Sequence, residues 1–366
     1  MSTHLRHRSR AAAVLAAASL VALAGCSGSD DSASPAGSAS ASPAAVKTLR
    51  LGFFPNLTHA PALVGLQDGF FKSALKELGV TVTPTAFNAG PDAVTALFGD
   101  SLDISYIGPN PTINAYAESG GEAIRVISGA ASGGAALVVK DDIKSAADLK
   151  GKKIATPQLG NTQDVALRAW LGEQGLSADT EGGGDVSILP QANAEGLTAF
   201  STGQIDGAWV PEPWVSEYEN AGAKELVDEA SLWPDGKFVT TNIVVRTKFL
   251  EEHPDVVKAF LTGHVEALDE IKKNPTDAAE AANASLKSLT GSGLDEDILT
   301  SAFKNVEFTA DPLPATLQES AADAVKVGLL DQSKIDAAGG LPGTLYQLTL
   351  LNEVLKADGQ AEVATP

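Results

Sequence analysis

With a single cysteine, Cys26, the 366-residue chain cannot form an internal disulfide, and it has no Cys/His set for zinc or an iron–sulfur cluster. Basic residues are scarce as well. There are 26 Lys and Arg against 46 Asp and Glu, for a net charge of −20. So acidic a surface excludes the phosphate contacts on which nucleic-acid binding depends, and it does nothing to steer an anion from a distance. If the ligand is an anion, local dipoles must hold it. Beyond residue 24 there is no run of about 20 uncharged apolar residues, the length needed to span a bilayer. GxSxG, P-loop and zinc-site patterns are missing. His59, His253 and His264 have neither a neighbouring nucleophile nor metal-ligand spacing. No catalytic constellation is present, so the chain is read as a non-enzyme without cofactor or metal.

Cys26 stands at an informative place. Arg6, Arg8 and Arg10 precede the small, apolar residues 11–24, and Leu23-Ala24-Gly25-Cys26 has the small-residue pattern of a cleavage site ending on cysteine. This resembles a bacterial lipoprotein signal, in which residues 1–25 are removed and Cys26 becomes the lipidated first residue. A plain secretory signal or a short membrane anchor are the other readings of the same residues. Residues 26–46, mostly Ser, Ala, Gly and Pro, are too poor in apolar side chains to fold and form a tether. The folded part is then expected at the extracytoplasmic face of the cell membrane, attached through lipid alone.

From residue 48 onward, short apolar strands alternate with helical patterns. Strands are expected at 49–54, 80–87, 102–107 and 136–140, then at 185–189, 205–210 and 240–247, with helices between them, which describes an open α/β sheet. In such sheets ligands bind beyond the carboxyl ends of the strands. One of these ends stands out. Residues 156–171 read as the end of a strand, a turn at Gly160, and a helix capped by Asn161 or Thr162, with Asp164 placed for a capping-box-like exchange. The unpaired N–H groups of that first turn, beside the neutral donors Asn161, Thr162 and Gln163, make an anion site; an ordinary capped helix would use the same residues.

The sequence also resembles itself. Residues 98–111 match 200–213 with small offsets: Asp103 with Asp206, Tyr106 with Trp209, Pro109-Asn110-Pro111 with Pro211-Glu212-Pro213, and beyond them Tyr116 with Tyr218. Two similar lobes are implied, with Asn110 and Glu212 at equivalent strand ends facing each other across a cleft. After residue 254 the pattern is helical to the end of the chain, a tail that covers the first lobe.

Leu49-Arg-Leu-Gly-Phe-Phe-Pro, Ala96-Leu-Phe-Gly-Asp-Ser-Leu-Asp-Ile, Asp148-Leu-Lys-Gly-Lys-Lys-Ile-Ala, Gly207-Ala-Trp-Val-Pro-Glu-Pro-Trp and Phe249-Leu-Glu-Glu-His-Pro-Asp-Val-Val-Lys-Ala-Phe stand in the order found in one family. Together they resemble the substrate-binding lipoproteins of ABC importers for nitrate, sulfonate and taurine. The resemblance covers most of residues 48–285. It implies an α/β, two-lobed periplasmic-binding-protein fold, type II-like, with two hinge crossovers near 137–140 and 240–244 and a helical C-terminal extension on lobe 1. Lobe 1 would comprise 47–138 and 240–366, and lobe 2 would comprise 139–239. The resemblance further implies a monomer that delivers a small anionic or zwitterionic ligand to an ABC permease and its ATPase.

The ligand positions implied are Asn56, Thr58 and His59 after the first strand, Gly108 and Asn110 after the third, and Gln158, Asn161, Thr162 and Gln163 at the second-lobe helix. Ser132, Gly133, Trp209, Glu212 and Asn242 complete the set. A sulfonate, with three acceptor oxygens and no donor, suits such N–H and O–H groups. If Asp164 or Glu212 faces inward, a zwitterion such as taurine is favoured, its ammonium pairing there. Two alternatives share the fold: a carrier of a thiamin-pyrimidine precursor stacked on Tyr106, Trp209 and Trp214, and an enzyme that makes such a precursor.

Overall fold

The computed structural model describes residues 46–366; Cys26, the signal and nearly all of the tether lie outside the described residues. Eleven strands are formed among the described residues: β1 (Thr48–Phe53), β2 (Thr81–Ala86), β3 (Ile104–Ile107), β4 (Ile124–Gly133), β5 (Ala135–Val139), β6 (Lys153–Thr156), β7 (Ser187–Pro190), β8 (Gly207–Pro211), β9 (Lys224–Asp228), β10 (Val239–Arg246) and β11 (Val306–Phe308). They make two sheets, ordered β11-β4-β10-β3-β1-β2 and β7-β6-β8-β5-β9. Read from β2 and from β7, the first five positions of each sheet correspond, with three parallel strands followed by antiparallel ones.

The internal sequence match therefore has a structural cause, since β3 and β8 hold equivalent places. Asp103, just before β3, accepts hydrogen bonds from the Arg50 backbone N–H on β1 (2.9 Å) and from the Arg246 guanidinium at the end of β10 (3.0 Å). Asp206, just before β8, does the same with the Lys153 N–H on β6 (3.0 Å) and the Lys140 ammonium at the end of β5 (2.9 Å). Burial pushes both carboxyls up, but these donors outweigh it and hold both below the usual carboxylate range. The aromatic pair Tyr106 and Trp209 fills the two cores, and both side chains are fully buried.

The chain passes between sheets at Gly133–Gly134, where both residues have positive φ (77° and 70°), a left-handed turn that costs glycine nothing. It returns through 229–238. The crossovers expected at 137–140 and 240–244 instead lie within or at the end of single-sheet strands, because β5 already pairs with β8 from Ala135 and β10 pairs with β4 from Val239. The run of small residues at 128–135 belongs mainly to β4. Gly129 must be small, since a Cβ there would lie 2.1 Å from the Asp311 carbonyl oxygen of the C-terminal segment.

Helices begin where proline or a cap allows. Pro91, Pro109, Pro254, Pro275 and Pro314 each stand in a first helical turn, where the missing N–H is no loss. The C-terminal helices share the first lobe's core through Leu317, Ala321, Leu351 and Leu355. They do more than cover it, however. Helix Pro314–Lys326 also packs on the second-lobe helix Thr162–Glu173, where Lys326 pairs with Glu173 at 3.1 Å. Among the described residues no helix is long and apolar enough to cross a membrane.

Candidate functional site: a neutral cleft between two lobes

The cleft lies where strand ends of both sheets face one another. It encloses about 380 Å³ of atom-free space, its mouth included, and its walls are Phe54, Asn56, Thr58, His59, Asn88, Gly108, Asn161, Thr162, Gln163, Asn193 and Thr240, with Ala89, Gly90 and prolines 111, 157 and 211. Four helices begin in this wall: Gly90–Phe98 and Pro109–Glu118 from the first lobe, Thr162–Glu173 and Asn193–Ser201 from the second. Each brings roughly half a positive charge to its N-terminus.

At the helix Thr162–Glu173 the N-cap is Asn161, whose side-chain oxygen accepts from the Asp164 N–H at 2.9 Å. The Asn161 amide donates to Gln163 Oε1 at 3.0 Å, which leaves the Gln163 Nε2 donors free. The Thr162 hydroxyl has no protein partner among the described residues. It stands close to the first lobe, since a Cβ on Gly108 would lie 2.4 Å from Thr162 Oγ1. Across the cleft, His59 Nδ1 accepts from the Phe54 N–H at 3.2 Å, so that network assigns its proton to Nε2. Burial drives the His59 pKa down to about 3, so it is a neutral donor at physiological pH. Asn56 accepts from Trp214 Nε1 through Oδ1 at 2.9 Å and keeps its amide hydrogens. No lining side chain is charged.

The same wall shows which expected residues belong to it. Asn56, Thr58, His59, Gly108, Asn161, Thr162 and Gln163 are brought together. Gln158 stands at the rim, donating across the lobes to Asp92 at 3.2 Å. The others point elsewhere. Asn110 donates to the Ser320 carbonyl oxygen at 3.0 Å and anchors the C-terminal helix instead of facing Glu212. Glu212 caps its own following turn, accepting from the Ser216 N–H (3.2 Å) and hydroxyl (3.1 Å), and takes a bond from Asn305 of the first lobe at 2.8 Å. With Ser132 and Gly133 it lines a separate hollow behind the Gly133–Gly134 turn. Asn242 accepts from Thr112 at 3.0 Å, one layer behind Gly108.

Trp209 is core: its indole donates to buried Glu229 at 2.7 Å, and its ring meets Trp170 edge-on. Asp164 is turned inward on its own helix. It takes the Gly160 N–H (2.9 Å) and the buried Thr156 hydroxyl (2.9 Å) and pairs with buried Arg168 at 3.0 Å. The capping-box exchange is therefore displaced by one residue, onto Gly160. Asn88, Asn193 and Thr240 were not singled out by sequence reasoning. Asn88 and Asn193 carry the same signal as the residues that were, a polar residue between a strand end and a helix start.

Glu229 yields a test of the second-lobe core. Burial pushes its carboxyl up to about 7, against the lowering effect of the Trp209 indole. A raised carboxyl favours folding while protonated, so its contribution is lost as pH rises from about 4.5 to 7. The stability difference between wild type and Glu229→Gln should change by about 3 kcal/mol between pH 4.5 and 7.5, measured by urea unfolding. Comparing the two proteins cancels the opposite trend of buried His59 and His264, whose lowered pKa values cost stability as pH falls below 6.5. A constant difference would refute the assignment.

Two matching α/β lobes closing on a charge-free cleft rimmed by helix N-termini define a periplasmic-binding-protein fold. The chain belongs to the NMT1-like family, whose model matches residues 42–286. It is 30% identical over 316 residues to the putative aliphatic sulfonates-binding protein of Bacillus subtilis, covering 83% of this chain and 89% of that one. It is 33% identical over 215 residues to the taurine-binding periplasmic protein of Escherichia coli, covering 59% and 64%. Among solved structures it resembles the alkanesulfonate-binding protein SsuA from Xanthomonas axonopodis pv. citri, with a TM-score of 0.65 at 20% identity over 80% of this chain and 96% of that one.

Proposed function

We propose that the protein is the extracytoplasmic solute-binding component of an ABC importer, which captures a sulfonate in the inter-lobe cleft and delivers it to a permease driven by its ATPase. The observation that carries this reading is the convergence of four helix N-termini on a wall without a charged side chain. A fully ionised sulfonate offers three acceptors and needs only donors, which Thr58, His59, Thr162 and Gln163 present. Relatives named as binding proteins for aliphatic sulfonates and taurine support carriage over catalysis.

Between those two ligands the cleft favours the simple alkanesulfonate. The ammonium of taurine would lose water in the seat and find no carboxylate, because Asp164 and Glu212 are both engaged elsewhere. A pyrimidine carrier is less well supported, since Tyr106 and Trp209 are buried in the cores and offer no stacking face. Calorimetry should show ethanesulfonate binding at least about tenfold tighter than taurine, as expected for roughly 1.4 kcal/mol of uncompensated ammonium desolvation. Tighter taurine binding would reverse the ligand assignment, and binding of neither would remove it.

The anchor is proposed to be the lipid on Cys26, on the strength of the Leu23-Ala24-Gly25-Cys26 pattern. Cys26→Ser should release the protein into the medium or leave the precursor uncleaved. Normal processing and membrane fractionation of that variant would dismiss the lipid.

A further inference from the structure

Some hydrogen bonds between the lobes lie at the crossovers and others lie well away from them. At the Gly133–Gly134 turn, the Glu212 N–H donates to the Gly134 carbonyl oxygen at 2.8 Å and the Asn305 amide donates to Glu212 at 2.8 Å. Away from it, Asn88 donates to the Pro157 carbonyl oxygen and Gln158 donates to Asp92, both at 3.2 Å. Residues 88–92 follow β2, three places along its sheet from the crossover strand β10, and residues 157–158 follow β6, two places from the crossover strand β5. At about 4.8 Å per strand, these segments stand roughly 10–14 Å from the crossover strands. A hinge rotation of about 15° would part them by roughly 3 Å, more than a hydrogen bond tolerates. Bonds beside Gly134 would barely stretch.

The pair Gln158 and Asp92 is tied to the anion seat without being part of its wall. Asp92 stands in the first turn of the helix Gly90–Phe98, and the Gln158 carbonyl oxygen accepts from the Asn161 N–H at 3.1 Å, in the turn that opens the helix Thr162–Glu173. Each residue is thus fixed to a helix that begins in the cleft wall, yet neither borders the cleft itself. Asn88 does border it, so a change there would mix two effects. Because a carboxylate only accepts, Gln158 must turn its Nε2 donor to Asp92.

We propose, resting on the carrier reading above, that Gln158 and Asp92 are positioning residues that latch the closed lobes and so set how long the solute stays bound. The solute enters while the lobes are apart, before this bond can form. It leaves only after the bond has broken. The pair therefore acts on the dissociation rate and leaves the association rate alone.

Release of radiolabelled ethanesulfonate into an excess of unlabelled ligand, with Kd from calorimetry on the same protein, yields both rate constants. Gln158→Ala should raise the dissociation rate about threefold and leave the association rate within about twofold of wild type, as expected for the loss of one exposed hydrogen bond to a carboxylate. Gln158→Glu sets two carboxylates against each other, and its dissociation rate should rise at least about tenfold. Adding Asp92→Asn to Gln158→Glu restores the local net charge and the bond, with donor and acceptor exchanged. That double variant should return to within about twofold of the wild-type dissociation rate, a repair that a merely structural role for either residue would not give. Wild-type dissociation rates in both single variants overturn the latch and leave the anion seat standing. So does a loss confined to association, or one that the double variant does not repair. If the wild-type protein binds no ethanesulfonate, the latch and the carrier reading fall together.

Discussion

Thr162→Asp should abolish anion binding. The hydroxyl of Thr162 stands at the start of the helix Thr162–Glu173, close to Gly108 of the first lobe and with no protein partner among the described residues. A carboxylate placed there occupies the position of the ligand's own charge and consumes the helix-end N–H groups that would have met it. Thr162→Ala removes one hydroxyl donor to a charged oxygen, a loss of roughly 1.5–3 kcal/mol, or about ten-fold to over a hundred-fold in affinity. The aspartate variant must lose more than this. Since the hydroxyl makes no bond among the described residues, Thr162→Ala should leave folding stability little changed, whereas Thr162→Asp also buries a carboxylate and costs stability as well. Calorimetry with ethanesulfonate and urea unfolding on the same samples decide the matter. Full affinity in both variants would falsify the assignment of this helix to the anion.

The largest expected effect on stability is that of Asp164→Ala. Asp164 and Arg168 are buried together, and the carboxylate also serves the Gly160 N–H and the Thr156 hydroxyl. Removing it strands a guanidinium inside the second lobe, which costs about 3–5 kcal/mol. Replacing Arg168 by Met in the same background removes the stranded charge and should recover much of that loss, because a buried ion pair is worth little over apolar packing of similar volume. Equilibrium unfolding of wild type, single and double variants measures both quantities. A loss below about 1 kcal/mol in the single variant would show the pair to be solvated and dispensable.

The order of strands and helices was legible because two different signals agreed. Alternating apolar residues marked strands such as Thr48–Phe53, and prolines in first turns marked helices such as Pro254–Lys273. The weaker elements were not legible. β11 has three residues, and β9, Lys-Glu-Leu-Val-Asp, is a charged edge whose pattern does not stand out from a loop. For the cleft, chain position located the turns but not the direction of each side chain. Thr58, His59, Thr162 and Gln163 follow strand ends and line the cleft, whereas Asn110, Glu212 and Asn242 occupy comparable positions and face inward to Ser320, Asn305 and Thr112. What separates the two groups is a partner distant in the chain. Ser320 lies 210 residues from Asn110, and no local spacing encodes such a contact. The self-similarity of 98–111 and 200–213 was sound as evidence of two lobes, but it recorded strand pinning by Asp103 and Asp206 and core filling by Tyr106 and Trp209, not a pair of ligand contacts.

The four helix ends in the cleft bear on what happens when it is empty. Each lobe carries two of them, so closing an unoccupied cleft brings like partial charges together in a space from which water is being expelled, where charges are poorly screened. Shutting around an anion replaces that mutual repulsion with attraction of both lobes to a common counterion. The solute therefore supplies the electrostatic reason for the lobes to stay together, and the permease proposed above would receive a report of occupancy from the closed shape. In the proposed importer, a transport cycle gated in this way spends its ATP on loaded carriers, with idle closures discouraged by the backbone dipoles of the carrier itself.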